Sequence, residues 1–141
     1  MNKVYYTPNQ IDKLIRELAT EIRPHKKKFI NVVGIANGGL HISRPLAALL
    51  HLPHSSVRIS HYDGSVPREV PIVEGELPYP TGNLVVDDLI DDGFTMRTFD
   101  KVFGLAGNAV AVLFCKPGGF VPDFFAAVKP NAWIELPWSD T

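Results

Sequence analysis

Only one cysteine, Cys115, stands in the 141 residues, so no disulfide can close within the chain and a reducing compartment is expected. No apolar run approaches the roughly 18 residues that a membrane span requires. The amino terminus, MNKVYYTPNQ, lacks the apolar segment of a secretory signal. Charge of one sign is not in excess either: 14 Lys and Arg face 15 Asp and Glu, for a net charge of -1. That balance gives no general electrostatic reason to bind nucleic acid or a membrane surface. These absences lead to the expectation of a cytoplasmic protein with neither nucleic acid nor membrane as its partner. Internal repeats, low-complexity tracts and long linkers are also lacking, so a single domain over 1–141 is expected. What remains, 45% hydrophobic and 21% charged residues, is the composition of an ordinary folded domain.

The order of elements is readable from periodicity. Thr7-Pro8 has the chemistry of a helix start, and Ile11, Leu14, Ile15, Leu18 and Ile22 follow on one face until Pro24. The run Lys26-Lys27-Lys28 reads as a solvated turn. Residues 29–36 form a β-branched apolar run ending at Asn37-Gly38-Gly39, a buried strand and a glycine turn. Leu40 to Leu50 reads as a helix that tolerates Pro45 only in its first turn, with His51 and His54 marking its end rather than a zinc site. Residues 56–62 alternate as a strand, 63–69 have loop chemistry, and 70–73 read as a short returning strand. A buried strand over 84–87 precedes a helix over 95–105, with Met96, Phe99, Val102 and Phe103 facing inward. Residues 109–114 form another apolar strand, with Cys115 as an inert core thiol beside it, and 124–128 form a weaker one.

Strands apolar on both faces and alternating with helices imply an α/β protein with a mostly parallel central sheet flanked by helices. In such sheets, ligands bind at the carboxyl ends of the strands. Three informative segments fall there: Asn37-Gly38-Gly39, the acidic stretch Asp87 to Thr95, and Lys116-Pro117-Gly118-Gly119. Within the acidic stretch, Asp91-Asp92-Gly93-Phe94-Thr95 is a glycine turn opening a helix, which suits a phosphate. Asp87 and Asp88, just before it, could accept bonds from sugar hydroxyls or help hold a magnesium ion. A sugar phosphate answers both halves.

The stretch Leu84 to Thr95, LVVDDLIDDGFT, resembles the phosphoribosyl pyrophosphate (PRPP) signature of the type I phosphoribosyltransferases. Ile35-Ala36-Asn37-Gly38-Gly39-Leu40 is similar to that family's pyrophosphate loop, Ser60-His61-Tyr62-Asp63 with Arg68-Glu69 to its flexible catalytic loop, and Phe114-Cys115-Lys116-Pro117 to its base-contacting strand end. Trp133-Ile134-Glu135-Leu136-Pro137-Trp138 is similar to the ending of the bacterial xanthine-guanine enzymes, and the resemblance runs in order from Phe29 to Trp138.

The resemblance implies the type I fold, with a small hood built from the chain ends, near the amino terminus and over 117–141, and a mobile loop over 63–73. It implies transfer of the phosphoribosyl group from PRPP to a 6-oxopurine, xanthine, guanine or hypoxanthine, giving a nucleoside monophosphate and pyrophosphate. Mg2+ would be the cofactor, and a homodimer or homotetramer the assembly. Asp87 and Asp88 would bind the ribose hydroxyls, with Asp88 near the metal. Asp91 would act as general acid or base at purine N7. Gly93, Thr95 and the neighbouring backbone, Asp92 and Phe94 included, would hold the 5'-phosphate. Asn37, Gly38 and Gly39 would form the pyrophosphate loop, and Arg68 would close over it. Lys116 would donate to the 6-oxo group, Trp133 would stack on the base, and the Ile134 backbone would meet its 2-position.

Three positions depart from the family pattern. Asn37 replaces a usual arginine or lysine, which leaves Arg44 or Arg68 to compensate. Asp92 replaces a common threonine and should repel phosphate unless it points outward or meets a cation. Phe94 stands where glycine is frequent. These changes motivate a second expectation: a non-catalytic PRPP- or nucleotide-sensing regulatory protein of the same fold.

Overall fold

The computed structural model describes residues 2–64 and 66–139. A six-stranded sheet runs β4-β3-β2-β5-β6-β7, formed by His54–Asp63 (β3), Val66–Glu74 (β4), Asn31–Ala36 (β2), Asn83–Ile90 (β5), Ala109–Cys115 (β6) and Phe124–Val128 (β7). All neighbours pair in parallel except β3 with β4. A separate two-stranded sheet joins Lys3–Tyr5 (β1) to Trp133–Glu135 (β8), bringing the two chain ends together.

The central strands are apolar on both faces because both are covered. Val32, Leu84, Val86, Ala111 and Leu113 share one core with helices α1 (Pro8–Ile22) and α2 (Leu40–Leu50). Val33, Val85, Val110 and Val112 face the other side, where Met96 and Phe99 of α3 (Phe94–Val102) pack. Close packing of α2 on β2 depends on Gly34, since a Cβ there would collide with the Ser43 side chain. At the amino ends of the strands, Asn31 Nδ2 donates to Ser55 Oγ at 2.9 Å and to Asn83 Oδ1 at 3.2 Å, and Asn83 donates to Asn108 Oδ1. This buried amide cluster fixes strand register at the end opposite the ligand loops.

The start of α1 follows its sequence chemistry: Gln10 N–H donates to Thr7 Oγ1, and Gln10 Oε1 accepts from the Thr7 N–H. Other elements differ from the sequence reading. The lysine run lies in a short 3-10 helix, Arg23–Lys28. Pro45 is the sixth residue of α2, beyond its first turn, and the carbonyl that loses its helical donor belongs to exposed His41. Val102 is 53% exposed rather than inward, because α3 ends there. Residues 66–69, with loop chemistry, belong to β4, which bears Pro67 and Pro71; an edge strand accommodates prolines that a central strand would not. Of 117–141, the segment Phe124–Val128 is the far edge of the large sheet, and Trp133–Glu135 supplies the paired chain end. No helix among the described residues is long and apolar enough to cross a membrane.

Candidate active site

Because the central strands run parallel, β2, β5 and β6 deliver their carboxyl ends to one edge. The first contribution is the loop after β2. A cis peptide joins Ala36 to Asn37, and Gly38 and Gly39 then turn into α2, with Gly39 N–H bonded to Ile35 O. Gly39 is sterically required, and a side chain on Gly38 would displace the Asp88 carboxylate. A Cβ on Gly39 would lie 2.5 Å from Ile35 O and 2.8 Å from Val86 O, and one on Gly38 would lie 2.5 Å from Asp88 Oδ2. The glycine loop is therefore pressed against two acids, Asp87 and Asp88, near the carboxyl end of β5.

Asp87 and Asp88 form the second contribution, and both lie within β5, which runs three residues past the expected end at 87, to Ile90. Asp87 Oδ1 accepts from the Asp88 N–H at 2.9 Å, and Asp88 Oδ1 from the Leu89 N–H at 2.8 Å. Burial, reinforced by the charge of Asp88, holds the Asp87 carboxyl well above the usual carboxylate range. A crowded acid pair of this kind needs a proton, a cation or a set of hydroxyl donors. Among the described residues no cluster of three or more His, Cys, Asp or Glu could hold a metal. Two carboxylates still fit Mg2+, which takes one or two protein carboxylates and completes its shell with water and phosphate oxygens.

The third contribution is the turn from Asp91 to Thr95, which lines a cleft of about 110 Å³ together with Asp87 and the end of β5. Gly93 adopts the left-handed conformation (φ 80°) that releases the chain into α3. Asp92 Oδ1 accepts from the Phe94 N–H at 2.9 Å, so one of the amides at the helix start is already occupied by an internal carboxylate. Arg97 Nη1 donates to the Asp92 carbonyl at 2.7 Å, and its guanidinium lies 5.6 Å from the centre of the Phe94 ring. Thr95 Oγ1 lies 3.3 Å from His61 Nε2 on β3, and the His61 ring meets Phe94 edge-on at 4.8 Å. Burial lowers the His61 pKa, with Asp92 acting in the opposite direction. His61 thus reaches the turn from Asp91 to Thr95 from the hairpin, a contact without any local sequence signal beyond the Ser-His-Tyr-Asp motif.

At the end of β6, Lys116 Nζ lies 3.5 Å from Asp91 Oδ1. Cys115, beside it, is buried, and burial raises its thiol pKa, which fits an inert core thiol. Arg68 Nε donates to Tyr62 O at 3.2 Å, within its own hairpin. Arg44, one of the two residues expected to compensate for Asn37, is exposed on α2 and lowers the His54 pKa through its charge. Trp133 is 57% exposed, with its Nε1 donating to Glu135 Oε1 at 3.1 Å. Ile134 is buried and pairs with Val4. No hydrogen bond, ion pair or ring contact among the described residues joins Trp133 or Ile134 to Asp91 or Lys116.

Trp138 received no role from the sequence. Its ring stacks on His41 of α2 (4.6 Å between centroids, 7° between planes), and its Nε1 donates to Asp88 Oδ2 at 3.4 Å.

A parallel sheet that gathers a glycine loop, an acid pair and a glycine turn at its carboxyl edge defines an α/β protein built to hold a phosphorylated sugar. Residues 3–119 match the phosphoribosyl transferase domain, and the chain belongs to that family: it is a phosphoribosyltransferase. Solved structures share the fold. Purine phosphoribosyltransferase from Pyrococcus horikoshii is 28% identical, with a TM-score of 0.83 over all of this chain and 96% of its own. A hypothetical protein from Neisseria gonorrhoeae with bound ppGpp is 26% identical, with a TM-score of 0.80 over 98% of this chain and 89% of its own. Xanthine-guanine-hypoxanthine phosphoribosyltransferase from Helicobacter pylori shares the fold at 21% identity, with a TM-score of 0.82 over 99% and 96% of the two chains.

Proposed function

We propose that the protein transfers the 5-phosphoribosyl group of PRPP to a 6-oxopurine, namely xanthine, guanine or hypoxanthine, releasing pyrophosphate and a nucleoside 5'-monophosphate in purine salvage. The observation that carries this reading is the pair Lys116 and Asp91, whose charged atoms are 3.5 Å apart beside the phosphate turn. O6 and N7 are adjacent acceptors on the edge of a 6-oxopurine. A lysine has only donors to offer, so Lys116 suits O6 and disfavours the amino group of adenine. Asp91, next to it, suits N7, where as a general base it takes the N7 proton as N9 bonds to ribose, and as a general acid it returns that proton in the reverse reaction. Trp133 then stacks on the base and the Ile134 backbone meets the 2-position.

On the sugar side, Asp87 and Asp88 accept bonds from the ribose hydroxyls, and Asp88 helps hold Mg2+ bound with PRPP. That cation supplies charge neutralisation for the departing pyrophosphate. The amides of Asp92 and Gly93, with the Thr95 hydroxyl, receive the 5'-phosphate, joined by the Phe94 amide once Asp92 Oδ1 releases it, while Asn37, Gly38 and Gly39 give pyrophosphate a close approach to backbone N–H groups. Arg68 adds positive charge when the 63–73 segment closes and excludes water from the developing ribosyl cation. A cytoplasmic homodimer or homotetramer is the proposed setting.

The test is nucleotide formation by purified protein with PRPP and Mg2+, offered xanthine, guanine, hypoxanthine and adenine separately. Turnover of the 6-oxopurines and not adenine is expected, and turnover of adenine alone would overturn the reading.

A second reading, nucleotide sensing, has one observation in its favour: the 26%-identical Neisseria gonorrhoeae protein carries ppGpp. Asp92 and Asn37 both reduce the positive potential available to PRPP. Calorimetric binding of ppGpp by the protein, without turnover of any base, would favour sensing over catalysis.

A further inference from the structure

We propose that Trp138 is a positioning residue whose indole N–H holds the Asp88 carboxylate in the orientation that meets PRPP, linking the carboxyl-terminal segment to the ribose side of the site. This rests on the reading of Asp88 as a PRPP ligand.

Three features carry it. The Asp88 carboxylate is gripped at both oxygens: the Leu89 N–H takes Oδ1 at 2.8 Å and the Trp138 Nε1–H takes Oδ2 at 3.4 Å. Gly38 closes the remaining side so tightly that a Cβ would lie 2.5 Å from Oδ2. An indole N–H can only donate, so its partner must offer an acceptor oxygen, and Asp88 Oδ2 is that acceptor.

Trp138 is itself fixed. Its ring lies flat on His41 in the first turn of α2, the helix that the pyrophosphate loop opens. A tight turn, in which Leu136 N–H donates to Ser139 Oγ at 2.8 Å and Ser139 N–H to Leu136 O at 3.0 Å, presents the indole. Buried Ile134 and Leu136 anchor that turn in the core shared by α1 and α2. One side chain thus contacts both the acid pair and the helix after the glycine loop. Donors placed behind a ligating carboxylate commonly change affinity by about 10- to 100-fold.

Phenylalanine at this position keeps a flat ring on His41 and removes the donor, so Trp138→Phe separates the hydrogen bond from packing. Calorimetry of PRPP with Mg2+ is the direct measurement, in wild type, Trp138→Phe, Asp88→Asn and the double variant. The expected result is about tenfold weaker PRPP binding in Trp138→Phe, the low end of such effects. In the Asp88→Asn background the same change should add less than about twofold, because the partner charge is gone. The Trp138 indole ¹H–¹⁵N resonance, identified by its loss in Trp138→Phe, should move on Asp88→Asn.

Equal losses in both backgrounds, or an indole resonance indifferent to Asp88→Asn, would reduce Trp138 to a packing residue and overturn the proposal. Wild-type affinity in Trp138→Phe would also overturn it while leaving the purine reading intact. A wild-type protein that binds no PRPP would remove both.

Discussion

Lys116 and Asp91 meet because β5 and β6 are in register at their ends. Ile90 pairs with Cys115, Lys116 N–H bonds to Ile90 O at 2.9 Å, and the next side chain from each strand places Nζ 3.5 Å from Oδ1. More than half of each side chain is open to solvent. An exposed pair of this kind contributes at most about 1 kcal/mol to stability. In the proposed reaction the two charges would therefore exchange each other for the edge of a purine at little cost.

Asp91→Asn should fold normally and lower kcat by roughly 100-fold or more, the usual scale for a displaced general acid or base. Lys116→Gln should instead erode the preference for 6-oxopurines over adenine, since the glutamine amide offers an acceptor as well as donors. Steady-state kinetics with hypoxanthine and adenine as paired substrates read both effects.

Asp87 carries a conflict between folding and binding. Its carboxyl is held above the ordinary value of 3.8 by burial and by Asp88, so the folded chain retains a proton that the unfolded chain releases. Its contribution to stability is complete below that ordinary value and declines as pH rises through the elevated folded pKa. Asp87→Asn should raise the melting temperature of the ligand-free protein at neutral pH by about 3–5 °C, equivalent to roughly 1 kcal/mol in a chain of this size. The same variant should lose PRPP binding, measured by calorimetry.

Asp92 holds the Phe94 amide that a phosphate would use, and it brings a negative charge to a helix start. Asp92→Thr frees that amide and removes the charge. The expected outcome is a roughly two- to fivefold lower KM for PRPP, the scale of a charge change at a helix amino terminus. Initial rates at varied PRPP and saturating purine test it, and an unchanged KM would mean that Asp92 swings clear of the ligand.

His54 sits at the start of β3 with its Nε2 2.7 Å from the Ser43 hydroxyl, joining α2 to the sheet. Burial, and then the charge of Arg44, lowers its pKa below the ordinary 6.5. As pH falls, the unfolded chain takes up the proton first. Stability is therefore full above about pH 6.5 and declines as pH falls through the window below it. His61 acts in the same direction. Urea unfolding between about pH 8 and 5 should show this decline, and His54→Gln should flatten part of the slope.

The central strands were legible because their physics is local. Val32-Val33, Leu84-Val85-Val86 and Ala109 to Phe114 are apolar at consecutive positions, a pattern that only a strand covered on both faces explains. The start of α1 was legible for the same reason, since Thr7, Pro8 and Gln10 act on their own backbone. Other elements depend on partners far along the chain. Three residues at β1 carry no periodicity, and they become a strand only because β8 brings them a parallel ladder. Val66–Glu74 has loop residues and two prolines, and it is extended because β3 supplies the other half of an antiparallel pair.

The sequence by itself determined the sheet, its helices and the motif chemistry, because short-range sterics and hydrophobic patterning act between neighbours. It also placed Asn37 to Gly39, Asp87 to Thr95 and Lys116 at strand ends, where a parallel sheet presents its loops. Tertiary structure alone decided which side chains meet: Gly38 against Asp88, His61 on Thr95, and Trp138 between His41 and Asp88. Those contacts span from 34 residues, between His61 and Thr95, to 97, between His41 and Trp138 (138 − 41), and strand register and the packing of the tail set them. No local propensity encodes such distances.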